Sequence, residues 1–161
     1  MNAGAALHAR GRLSTPGSPR LLFLLLGLVG CADPPPPPVD LDASLRAELG
    51  ISAGVPIHRF TLGGRGADDR VVPSLVEAAP GDVIHFLSAD RRVQTVTFGG
   101  EGLGAEAEAF LRRTGQLASP PLVDAGSRFV LSLEGAPLGR YPFRVEGHGD
   151  PVGGVVVVGR R

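Results

Sequence analysis

The sequence contains no lysine and no tryptophan, and only one cysteine, one methionine and one tyrosine. A single cysteine excludes an internal disulfide framework. Charge of either sign is not in excess: 16 basic residues, all of them arginine, balance 16 acidic ones. There is no basic block and no interleaving of basic with aromatic residues, so nothing points to a nucleic-acid partner. Long apolar runs are also missing. The longest, Leu21 to Val29, falls well short of the roughly 20 residues that a membrane-spanning helix needs. What is abundant is glycine and proline, 24 and 15 of 161 residues. That balance favours turns and short strands over long helices. The length leaves room for one domain with appendages.

The N-terminal region reads as an export signal. Arg10, Arg12 and Arg20 form a basic segment, and Leu21 to Val29 forms the apolar segment behind it. It ends in Leu28-Val29-Gly30-Cys31, which resembles a bacterial lipobox. That resemblance implies a signal peptide over residues 1–30, with Cys31 as the acylated first residue of the mature chain. It also accounts for a lone thiol in an exported protein. The expected location is therefore outside the cytoplasm, lipid-anchored and facing the periplasm or the cell exterior. Residues 31–54 are expected to be a linker with a short helix. Pro34 to Pro38 would form a stiff polyproline II spacer, at about 3 Å per residue. Leu41, Leu45 and Leu49 recur every fourth residue, with Asp40 or Asp42 as a candidate N-cap and Gly50 as a stop. They predict a helix of about two turns.

From Val55 the pattern becomes that of strands. Val55–Leu62 is expected to end at Gly63-Gly64-Arg65-Gly66. A strand segment from Val71 leads to the turn Pro80-Gly81-Asp82, and Val83–Leu87 follows it. Val93–Phe98 alternates, with Gln94, Val96 and Phe98 on one side. Ala105–Leu117 is predicted to be a helix, with Leu103, Ala107, Phe110, Leu111, Thr114 and Leu117 on one face and a favourable Glu108–Arg112 pair. Ser127–Leu133 is the next strand.

The last stretch, Gly139 to Val158, reads as two strands around a glycine-rich loop, Glu146 to Gly154. Tyr141, Phe143 and Val145 alternate with Pro142 and Arg144, and Val155–Val158 is a β-branched core run. This layout resembles the C-terminal end of a cupredoxin, the plastocyanin and azurin family. There the pattern is Gly-x-Tyr-x-Phe-x-Cys-x-x-His, then Met, then Gly-x-Val-x-Val. The resemblance implies an all-β, Greek-key, cupredoxin-like sandwich over 55–159 with one inserted short helix. It also implies where copper ligands would stand. Val145 takes the Cys position, Val152 the Met position and Gln94 the position of the first His; only His148 is kept. With two equatorial ligands replaced, no cofactor is expected, copper being the alternative.

A substitute metal site built from His148 with Asp150, His58 or His85 is a further alternative. Gly100-Glu-Gly-Leu-Gly-Ala105 has the form of a dinucleotide fingerprint, but no βαβ series surrounds it. Ser119, Asp124 and His148 lack a nucleophile-elbow context. An enzyme is therefore not expected. The leading expectation is a copper-free binding or interaction module. It would be held to a membrane through Cys31 and take a protein or small-molecule ligand at the loops around Gln94 and His148. The second is a copper-binding electron carrier or copper-handling protein.

Overall fold

The computed structural model describes residues 40–65, 68–147 and 149–161. Cys31, the proline run and His148 lie outside the described residues. In chain order the elements are α1 (Leu41–Leu49), β1 (Ile57–Arg65), β2 (Asp68–Val72), β3 (Leu75–Ala78), β4 (Val83–Ser88), β5 (Thr95–Phe98), α2 (Ala105–Arg113), β6 (Arg128–Ser132), β7 (Gly139–Glu146) and β8 (Val152–Val158). They form two four-stranded sheets, ordered β2-β1-β4-β6 and β3-β8-β7-β5. Each sheet contains one parallel pair, β1 with β4 and β3 with β8, and its other pairs are antiparallel. The result is the all-β sandwich expected from the sequence, with α2 inserted between β5 and β6.

Several local readings differ from expectation. First, β1 does not stop at Leu62 but pairs with β2 as far as Arg65. Gly63 and Gly64 are tolerated in the strand because the Asp90 carboxylate accepts a hydrogen bond from the Gly64 N–H at 3.0 Å. Second, the segment from Val71 is two strands, each in a different sheet. Pro73, which has no N–H to give a ladder, stands where the chain leaves β2 before entering β3. Third, α2 ends at Arg113, not Leu117. The Thr114 hydroxyl turns back to the Phe110 carbonyl at 2.9 Å, and Gly115 takes a left-handed φ of 69°. Leu117 then returns to the sheet, its carbonyl accepting from the Phe98 N–H at 2.9 Å. Fourth, β8 begins at Val152, not Val155, because Val152 to Gly154 pair with β7, so the loop expected over Glu146 to Gly154 is only 147–151.

Aromatic residues are few, yet they are concentrated between the sheets. The Phe60 and Phe86 rings of one sheet stack at 5.1 Å, and Phe143 of the other meets them edge-on at 4.9 and 5.0 Å. Such pairs add about 0.5–1.5 kcal/mol each beyond the area they bury. Gly154 sits opposite Phe143 in the ladder, and a Cβ there would lie 2.4 Å from the Phe143 ring. Glycine is needed at that position for the ring to lie flat on its neighbour strand. Phe110 and Leu111 of α2 join the same core, with Phe110 edge-on to Tyr141.

The helix α1 forms as its sequence predicts. The Asp40 carboxylate accepts from the Asp42 and Ala43 N–H groups, and Gly50 ends the helix at φ 65°. Nine residues would be marginal alone. Here the helix packs on the domain: Leu45 is fully buried, Asp42 pairs with Arg59 of β1, and Glu48 pairs with Arg128 of β6. The compact unit accordingly runs from 38 to 161 and takes α1 in with the sandwich.

Candidate functional site

Gln94, Val145 and Val152 come together at one end of the sandwich. Val145 is fully buried, and the ladders place it opposite Val96 of β5 on one side and Val152 of β8 on the other. Gln94 immediately precedes β5 and is joined to Leu122 by a two-bond bridge, 2.9 Å from its N–H and 2.8 Å to its carbonyl. Its side chain is only 1% exposed. Neither Nε2 nor Oε1 has a hydrogen-bond partner among the described residues. A Cβ on Gly147 would lie 3.2 Å from Gln94 Cγ, so the loop after β7 passes close against this side chain.

A charged cluster that sequence reading missed holds this loop. The Asp69 carboxylate, fully buried, accepts from the Arg92 guanidinium at 3.0 Å and from the Gly149 N–H at 3.1 Å. Arg92 Nε lies 3.6 Å from Asp90, which also accepts from the Arg92 N–H at 3.0 Å. Asp69 is 23 positions from Arg92 and 80 from Gly149. No local pattern marks such a pairing; the sequence shows only two separate runs of charge, Asp68-Asp69-Arg70 in β2 and Asp90-Arg91-Arg92 after β4. Beside it a surface cavity of about 400 Å³ is lined by Arg91, Arg92, Val93 and Gly147.

The other candidate ligands do not converge here. His58 is near the start of β1, at the opposite end of the sandwich. Its Nε2 lies 2.8 Å from Asp82, which also accepts from the Ala79 N–H at 2.9 Å and pairs with Arg161. Burial works to raise the Asp82 pKa, but the Ala79 N–H, His58 and Arg161 together hold it below the ordinary carboxylate range. His85 is buried on the outer face of β4, in register with Arg59. Asp150 is exposed in the loop between β7 and β8. Among the described residues, no group of three or more His, Cys, Asp or Glu side chains could hold a metal ion.

The remaining motifs have structural roles. Ser119 Oγ accepts from the Val96 N–H at 2.9 Å, tying the chain after α2 to β5. The Asp124 N–H donates to Ser127 Oγ at 3.0 Å within a turn. The glycine series from Gly100 leads from β5 into α2, and β5 is paired antiparallel, so the parallel sheet of a dinucleotide fold is not what surrounds it.

No protein-family model and no curated protein matches the chain. Solved structures similar to it are cupredoxins. A purple cupredoxin from Nitrosopumilus maritimus is 17% identical over 63% of this chain and 99% of its own, with a TM-score of 0.46. An amicyanin variant in its reduced Cu(I) form is 15% identical over 69% and 88%, with a TM-score of 0.42. Auracyanin from Roseiflexus castenholzii is 15% identical over 65% and 97%, with a TM-score of 0.40. The fold itself is an all-β sandwich of two four-stranded sheets. A likeness this distant carries nothing about a metal or an activity.

Whether copper fits is decided by the residues. A type 1 site needs two imidazole nitrogens and a thiolate in one plane, with a weak axial donor. The side chains gathered here are an amide and two valines. Val145 has no donor atom, and an amide oxygen is a harder, poorer partner for copper than imidazole. This donor set does not fit type 1 copper. Among the described residues, no helix is long and apolar enough to cross a membrane.

Proposed function

We propose that this chain is a non-catalytic, extracytoplasmic binding module, anchored to a membrane through Cys31 and working without type 1 copper. The observation that carries the reading is Val145. It is buried between Val96 and Val152 with no exposed surface, where a copper thiolate would have to stand. An apolar side chain fitted into that position stabilises the sandwich by burial, at about 1.5–3 kcal/mol for a valine-sized group, and offers a metal nothing. The ligand, a protein or a small molecule, would be taken at the same end, where the cavity beside Gln94 opens between Arg91 and Gly147.

Titrating the full chain with Cu(II) tests this. The expected result is no intense blue or purple absorption, because that colour needs a copper–thiolate bond. A tight, stoichiometric coloured complex of the unmodified protein would overturn the proposal and favour the copper-handling reading.

A further inference from the structure

Beneath α1 lies a buried histidine that the proposed function does not use. Asp42, Leu45 and Glu48 follow one another at three-residue spacing and so share a helix face. Asp42 pairs with Arg59 of β1, and Glu48 pairs with Arg128 of β6. Strand β4 lies between those two strands. The helix therefore straps across the outer face of β4, and Leu45, fully buried, is the middle of the strap. His85 is the polar residue of β4 on that face, only 2% exposed. Arg59 Nε approaches its Nδ1 at 3.5 Å, and its Nε2 has no partner among the described residues.

We propose that α1 is an acid-releasable strap, and that His85 is the group that sets its release. The charges facing the imidazole from each packed element are Arg59 on β1, Arg128 on β6, and Asp42 and Glu48 on α1. Arg46 of α1 is turned instead to the Ser52 carbonyl, 2.8 Å away. Protonating His85 in place would bury a third cation between two guanidiniums. Both carboxylates that could answer it are already engaged by those guanidiniums. Burial first, then Arg59 and Arg128, hold its pKa below the ordinary value, with only Asp42 pulling the other way. Lifting α1 exposes the ring to water, where it protonates normally.

The linkage sign follows. The docked form binds fewer protons at His85 than the released form. Docking is thus at full strength above the released pKa of about 6.5 and weakens as pH falls towards the docked value. With one proton taken up on release, the release constant rises by up to tenfold per pH unit across that window. The sequence places α1 directly after the proline run. If Cys31 is the anchor, release lengthens the tether by nine residues, about 30 Å when extended.

Amide exchange and imidazole NMR on the full chain carrying Cys31→Ser test the strap whether or not the anchor reading holds. Between pH 7.5 and 5.0, protection factors for residues 43–49 should fall by at least tenfold while those of β4 and β7 hold. The His85 ring should titrate below the ordinary range, in step with that fall. His85→Leu, or His85→Gln if the leucine variant does not fold, should leave α1 protected at pH 5.0. Unchanged α1 protection in the parent chain would overturn the proposal. So would a fall that persists without His85, since Asp42 and Glu48 would then be its source.

Discussion

Val145 and Val152 face each other across the ladder between β7 and β8, at the end of the sandwich where Gln94 enters the core. Two positions of the C-terminal motif, and the position the resemblance gives to the first His, are thus neighbours in space. Two carry hydrocarbon, and the third carries an amide with no partner among the described residues. This end of the sandwich is packed core, with one buried amide set into it.

Gln94→Leu is expected to leave stability unchanged or to raise it by about 0.5–2 kcal/mol. A buried amide without hydrogen bonds keeps its desolvation cost, and an apolar side chain of similar volume removes it. Chemical denaturation of the two proteins measures the difference. A loss of more than about 1 kcal/mol would mean that the amide is satisfied by a ligand or an ordered water.

Asp69→Ala should loosen the loop 147–151. The substitution takes the acceptor from the Gly149 N–H and a buried carboxylate from Arg92, which keeps Asp90. Breaking a buried pair on one side costs about 3 kcal/mol. Exchange at Gly147 and Gly149 should speed up more than exchange in β4. Equal loss of protection across the domain would show that Asp69 supports the whole sandwich instead.

The reach of the sequence into this site was uneven, for physical reasons. Alternation fixed the faces of Tyr141, Phe143 and Val145, because a half-buried strand must repeat every two residues. The same logic set Gln94 with Val96 and Phe98, and all three are buried. The Gly50 stop was legible, and the cap was narrowed to Asp40 or Asp42, because capping is a local interaction; the structure uses Asp40. The Asp69–Arg92–Asp90 cluster and the cover of α1 over His85 were not legible. Both join segments distant in the chain, and neither needs a periodic pattern. The extension of β1 through Gly63 and Gly64 was missed for a related reason: the bond that holds it comes from Asp90, 26 positions away.

Tyr141→Phe is expected to cost about 1 kcal/mol near neutral pH. The phenol donates to the Pro137 carbonyl at 2.7 Å, a bond that phenylalanine cannot make. Burial pushes the Tyr141 pKa up to about 12 from its ordinary 10.0. The folded state therefore holds the proton more tightly than the unfolded one. The stability this gives is complete below about pH 10 and is lost as pH rises through about 12. Alkaline denaturation should show a decline over that window that Tyr141→Phe lacks. The same slope in both proteins would assign it to another group.

Cys31→Ser should move the protein from the membrane fraction to the soluble fraction of a bacterium that processes lipoproteins. The lipobox-like Leu28-Val29-Gly30 offers Cys31 as the only acylation site, since no other cysteine exists. Fractionation followed by immunoblotting reads the outcome. Membrane association that survives the substitution would sink the anchor.

Restoring ligands tests the assignment of positions from the other side. Gln94→His with Val145→Cys places an imidazole and a thiolate on neighbouring strand ends, within a ladder whose register is already set. By the sequence resemblance, His148 would be the second imidazole. Cu(II) should then give an intense charge-transfer band that the parent protein lacks. Adding Val152→Met should shift that band without creating it, because the axial donor tunes such a site and does not define it. Adding His148→Ala should abolish it. A colourless double variant that still unfolds cooperatively would show that Gln94 and Val145 do not stand at the ligand positions. The unpaired Gln94 amide would then belong to a different kind of pocket.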